Sequence, residues 1–181
     1  MDLWSLPTSA VIGGVEYPIN ADYRDVIEIF RYLDDPDKPE YIRWRIALAL
    51  FYEGEIPDEH RQEAMEYLAR FISCGESNRK PAPKLLDWEQ DAQFIIADVN
   101  KVAGKEIRLV PFLHWWTFLA YFHAIGEGQL STLVSIRDKL HRKKKLDKWE
   151  QEYYCKNASK IRLKARYSGA EEELLKKWGG G

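Results

Sequence analysis

Catalysis in a chain of 181 residues would rest on a handful of side chains, so their types and spacings come first. The most suggestive stretch is "LVPFLHWWTFLAYF" (109–122), where His114 precedes paired tryptophans in apolar surroundings. A metal or cofactor pocket is the obvious reading. It fails on phase. The next histidine, His123, lies nine residues on, which on a helix is about half a turn away, whereas a zinc helix needs an i, i+4 pair. His114, Thr117 and Tyr121 would share a helical face, so His114 is expected to be a buried structural histidine in a polar stripe against a neighbouring helix. His60 and His141 have no matched partners.

Asp87, Asp91 and Asp98 fall near one side of a predicted helix, and three carboxylates can hold a hard cation. Their spacing fits no calcium loop, and a capped, solvated helix face is the expected reading. Gly13-Gly14 belongs to neither phosphate-cradling glycine pattern. The serines lack a nucleophile-elbow context, and Cys74 and Cys155 have no CxxC neighbour or histidine at motif spacing. The cysteines read as reduced thiols, since the opening "MDLWSLPTS" is no secretory signal. No catalytic residue, metal or cofactor is therefore expected, and the chain is not expected to be an enzyme.

Binding is a better prospect. Residues 1–130 carry a net charge of −9, residues 131–167 one of +8, and residues 168–181 one of −1. Arg137, Lys139, Arg142, Lys143, Lys144, Lys145 and Lys148, with Trp149, are the candidate partner-binding residues of the basic segment. Three readings stay open. The segment can be a solvated helix, with Lys156, Lys160 and Lys164 as an i, i+4 row. It can dock on the acidic body of another copy or on an acidic protein ligand. Or residues 137–166 can bind nucleic acid, phosphates on the cations and bases on the aromatics, although the acidic body would repel a polyanion. Trp115 and Trp116, about 100° apart on a helix, cover more than one face. They are either core or a further partner-binding patch.

These residues need elements to place them. With 45% apolar and 31% charged residues, the chain reads as globular, and no run reaches the length of a membrane span. "TSAVI" and "VEYPI" flank Gly13-Gly14 and predict a β-hairpin over about 8–19, with Pro18 at a strand end. Helices are predicted after Asn20 or Asp22, over 40–52 and over 57–72. Another opens at Asp87, with Gln90 three residues on, presents Trp88, Ala92, Ile95, Val99 and Val102 inward, and ends at Gly104. The stretch from Pro111 is predicted as the central helix. Ser131 is expected to cap a helix through "TLVSIRDKLHRKKK", with helix continuing to Ser168 and a short one over "AEEELLKKW"; residues 74–84 read as a loop. The fold class is mainly α, a single-domain helical bundle with a small N-terminal β-hairpin. Residues 1–130 form its acidic body, and 131–181 a basic C-terminal helical segment, in the same domain or as a projecting arm.

Four segments carry a family resemblance: "LPTSAVIGGVEYPINADYRDVIEIF", "LDWEQDAQFIIADVNKVAG", "LHWWTFLAYF" and "SIRDKLHRKKKLDKWEQEYY". In this order, and over most of residues 1–165, the chain resembles small tail-assembly proteins of siphophages and prophages of Gram-positive bacteria, a family of tail assembly chaperones. The resemblance implies a non-enzymatic protein that binds the tape measure protein and keeps it soluble while the tail tube polymerises. It also implies a place in the host cytoplasm, self-association and absence from the finished virion. Neither a membrane nor a nucleic-acid partner is expected under it.

Overall fold

A computed structural model of the chain describes residues 4–75, 83–164 and 169. Seven α-helices and one two-stranded antiparallel hairpin make up the main described elements, so the fold is mainly α as expected. Packing groups the described residues into two compact units. Residues 4–75 and 114–116 belong to unit 1, and residues 83–113 and 117–164 to unit 2.

In unit 1, β1 (Ser9–Ile12) pairs with β2 (Val15–Pro18) in the register Ile12 to Val15 and Ser9 to Pro18. Gly13 and Gly14 close the turn with φ of 57° and 80°, the positive values that a two-residue hairpin needs. The hairpin does not stand alone. The Gly13 N–H donates to Glu63 Oε2 at 3.0 Å and the Tyr67 hydroxyl to the Ser9 carbonyl at 3.0 Å, both from α3 (Arg61–Ile72). A Cβ at Gly13 would come within 2.4 Å of the His60 ring, which would have to shift to admit it.

α1 (Tyr23–Leu33) begins at Asp22, whose carboxylate accepts from the Arg24 N–H at 2.9 Å. Asn20 instead donates its side chain to the Leu50 carbonyl. Val26 and Ile29 are fully buried, while Ile27, Phe30 and Leu33 are half-buried. α2 (Glu40–Phe51) packs on α1 through Ala47, Leu48 and Phe51. A 3-10 turn (Asp58–His60) follows Pro57 and leads into α3, which buries Ala64, Leu68 and Phe71.

Unit 2 holds α4 (Ala92–Ala103), most of α5 (Trp115–His123), α6 (Gln129–His141) and α7 (Lys148–Ile161). Five sequence expectations shift here. The predicted helix at Asp87 starts at Ala92, because Asp87 caps a separate turn by accepting from the Glu89 and Gln90 N–H groups. Its inward stripe shortens too: Ile95 is buried and Val99 fully so, but Val102 is 37% exposed. Gly104, with φ of 66°, ends the helix as expected.

α5 starts at Trp115 rather than near Pro111, since His114 pairs in an antiparallel bridge with Asp22; a 3-10 turn (Ile107–Leu109) precedes this stretch. α6 starts after Gly128, and Ser131 serves it from inside the first turn, accepting from the Gly128 N–H at 2.9 Å. The basic helix breaks at 142–147, and α7 is kinked at Asn157 and ends at Ile161. Lys164 is therefore not on the helix that carries Lys156 and Lys160. The predicted loop over 74–84 falls partly, and the helix over "AEEELLKKW" wholly, outside the described residues.

Candidate interaction surface

The candidate residues of the basic segment lie around the α6–α7 turn, and the structure separates them into three groups. Arg137 belongs to the interior. Its side chain is 4% exposed, and its guanidinium faces the Asp91 carboxylate, itself fully buried, at 2.6 and 2.9 Å. Its remaining N–H groups reach the carbonyls of Ile161 at 2.6 Å and of Leu85 and Lys160 at 2.9 Å. All five donors are used, so Arg137 is not available to a partner. Asp91 also accepts from the Asp87 N–H at 2.9 Å.

This overturns the expected solvated carboxylate face. Asp87, Asp91 and Asp98 are all buried, their oxygens taken up by backbone N–H groups, by Arg137 and, at Asp87, by Lys84. Asp98 Oδ2 accepts from the Leu130 N–H at 3.0 Å, which caps α6 from α4. A Cβ at Gly128 would fall 2.6 Å from that oxygen, so the glycine makes room for the cap. The error has a physical source. Helical spacing shows that carboxylates share a face, but not that another helix brings donors to it.

Lys139 and Arg142 form the second group, already paired. Lys139 Nζ lies 2.5 Å from Glu150 Oε1, and Arg142 Nε 2.9 Å from Asp138 Oδ1. The hydrogen bond from Lys139, helped by the Asp147 N–H, holds the Glu150 carboxyl below its usual range. Glu150 and Asp147 also form a reciprocal capping box that starts α7, with N–H to carboxylate distances of 2.9 and 3.0 Å. The sequence did carry that signal, in Asp147 and Glu150 three residues apart.

The third group faces solvent. Lys143, Lys144, Lys145 and Lys148 are exposed and make no ion pair with any described residue. Trp149, beside them, is 54% exposed and meets Tyr153 edge-on at 6.4 Å between centroids. The turn has a defined shape. The Lys144 N–H returns to the Lys139 carbonyl at 2.8 Å and that of Lys143 to Leu140 at 3.1 Å, a Schellman closure of α6. Lys143 itself has φ of 54°, a left-handed conformation that glycine usually takes. Beneath it Ile136, Leu146 and Ile161 form a cluster flanked by Tyr153 and Tyr154.

Trp115 and Trp116 lie elsewhere, in the core of unit 1. They are 1% and 7% exposed, and their indole N–H groups donate to the Ile72 and Phe71 carbonyls at 3.0 and 2.9 Å. Those carbonyls end α3, where a helix leaves acceptors unsatisfied. Of the two readings, core is the one observed, and the pair offers no exposed patch.

His114 is also buried. Its Nδ1 accepts from the Trp116 N–H at 3.1 Å, which leaves Nε2 to donate to the Pro7 carbonyl at 3.0 Å. Both contacts fit a neutral ring, and burial lowers its pKa below the usual histidine value. The face shared with Thr117 and Tyr121 does not exist, because His114 precedes the helix. Among the described residues no group of three or more His, Cys, Asp or Glu is placed to hold a metal, and no helix is long and apolar enough to cross a membrane.

A family model described as "Bacteriophage Gp15 protein" matches residues 4–163. No curated protein and no solved structure matches the chain.

Proposed function

The chain belongs to the bacteriophage Gp15 family and is thus a phage protein; from that premise we propose that it serves tail morphogenesis as a tail assembly chaperone. In this reading it is not an enzyme. It binds the tape measure protein in the host cytoplasm, holds it soluble while the tube grows, and leaves before the virion is complete. The tail-assembly resemblance of its segments supports the finer assignment within the phage family.

One structural observation carries the choice of surface. Lys143, Lys144, Lys145 and Lys148 lack ion pairs with described residues on a turn of defined shape, next to the exposed Trp149. Unpaired cations beside a half-exposed indole suit a protein partner with acidic and apolar character.

Co-expression with the tape measure protein of the same phage tests this. A soluble complex is expected with the wild-type chain. Changing Lys144, Lys145 and Lys148 to Ala should leave folding intact and weaken that complex. If the client is equally insoluble with and without the chain, the chaperone reading is wrong. Retention on duplex DNA that falls steeply with salt, together with no client binding, would instead favour the nucleic-acid reading.

A further inference from the structure

We propose that Lys143 is the specificity-determining residue of the α6–α7 turn, and that what it recognises is an acidic segment of a protein partner. The proposal rests on the reading that this turn is the partner surface, and it names the chemistry that the surface selects.

Three helices, α3, α4 and α6, close on a residue with left-handed backbone, and each fills that position differently. After α4 it is Gly104, with φ of 66°. After α3 it is Cys74, with φ of 52°, where the Cys74 N–H returns to Phe71 at 3.1 Å and that of Gly75 to Arg70 at 2.8 Å. After α6 the same pair of bonds forms around Lys143, with φ of 54°. Glycine adopts this backbone freely, whereas a side chain makes it costly. Cys74 is at least half-buried within its unit. Lys143 is exposed, and its amine makes no ion pair or hydrogen bond with any described residue. The closing bonds come from backbone N–H groups, which glycine would supply equally well. The fold thus bears a strained lysine that brings it no contact, and a strained residue of that kind points to a task outside the fold.

The surrounding charges select the partner. Lys139 is paired with Glu150, and Arg142 with Asp138. Asp147 caps α7 and lies 3.9 Å from Lys139. The surplus is Lys143 with Lys144, Lys145 and Lys148, beside the half-exposed Trp149. A polyphosphate would carry its closely spaced charges past Asp138 and Asp147 as well, which repel it. A peptide places its carboxylates singly and can set an apolar residue against the indole. An acidic segment with an apolar residue among its carboxylates is therefore the ligand. Lys143 opens the run of cations, and the closure of α6 fixes the backbone from which its side chain leaves.

The probe is a short fluorescent peptide in which glutamates flank one leucine, titrated with the full chain and read by anisotropy. Wild type should bind it, and added salt should weaken the binding. Lys143→Gly should bind about fivefold more weakly and yet melt at a higher temperature. Affinity and stability then move in opposite directions, which a purely structural lysine would not produce. Lys143→Asn tolerates the left-handed backbone and should lose affinity to the same degree. Lys143→Arg keeps the charge and should bind like wild type. Lys105→Ala removes an exposed lysine outside the turn and should also bind like wild type.

Equal binding by wild type and Lys143→Gly would overturn the proposal. So would a Lys143→Gly variant that melts below wild type, since the lysine would then serve the fold. An equal loss in Lys105→Ala would reduce the effect to net charge and overturn it too. A wild-type chain that ignores the peptide, or binds duplex DNA more tightly, has the wrong partner class and overturns it as well. Peptide binding that depends on Lys143, with the tape measure protein left insoluble, would overturn the chaperone reading and leave this assignment standing.

Discussion

Each unit has a helix C-terminus whose carbonyls must find donors, and the two units supply them differently. In unit 1 the α3 carbonyls of Phe71 and Ile72 receive the indole N–H groups of Trp116 and Trp115. In unit 2 the α7 carbonyls of Lys160 and Ile161 receive the Arg137 guanidinium. An indole is neutral and brings a large apolar body with its donor, so burial and hydrogen bonding reinforce each other. A guanidinium brings a charge that must be matched once it is buried, which is why Asp91 lies fully buried opposite it. The ionic solution therefore depends on two residues far apart in sequence. The aromatic one depends on each tryptophan separately.

That difference can be broken most severely in unit 2. Asp91→Ala or Arg137→Met strands one buried charge and should cost about 3–5 kcal/mol in urea denaturation. Replacing both with apolar residues should recover much of the loss. If the double variant is as unstable as the singles, the ion pair does not explain the effect.

Trp115→Phe comes next in unit 1. It keeps most of the apolar volume but leaves the Ile72 carbonyl without its donor, for an expected loss of about 2 kcal/mol in the same assay. No second substitution should rescue it in the manner of the Asp91–Arg137 pair.

Acid should find unit 1 through His114. Its folded pKa is lowered, so the unfolded chain takes up the proton first, and folding stability declines as pH falls below the ordinary histidine value of about 6.5. The decline continues until pH passes the lowered folded value, at up to about 1.4 kcal/mol per pH unit. Protonation puts a hydrogen on Nδ1, where the Trp116 N–H already points. Stability measured between pH 7 and 5 should flatten in a His114→Gln variant. An unchanged slope would mean that other groups carry the acid sensitivity.

The smallest effect is a gain. Lys143 has a left-handed backbone that closes α6, so Lys143→Gly should stabilise the chain by about 0.5–1 kcal/mol in thermal melts. A loss would show that the lysine side chain contributes more than its backbone conformation costs.

The sequence revealed local features and missed reciprocal ones. The hairpin was legible because Gly13-Gly14 is a local signal, and α1 because Asp22 lies next to the apolar positions it starts. The buried aspartates were not. Asp91, Asp98 and Arg137 are polar letters at helical spacing, and only tertiary pairing turns them inward. Trp115 and Trp116 were rightly open to a core reading, but their donor role at α3 needs the position of Phe71 and Ile72. The basic candidates divided for the same reason. Arg137 has an acid waiting across the fold, whereas Lys144 and Lys145 have none among the described residues.

The cap on α6 bears on how the chain folds as it is made. A helix normally finds its N-terminal acceptor in its own first residues, so its start is available as soon as that stretch leaves the ribosome. Here the acceptor for the Leu130 N–H is Asp98, 32 residues earlier. Synthesis from the N-terminus has therefore already delivered α4 when Gly128 and Leu130 emerge. The first turn of α6 acquires its full complement of hydrogen bonds only by landing on a helix made before it. Order of synthesis and order of assembly coincide at this one carboxylate.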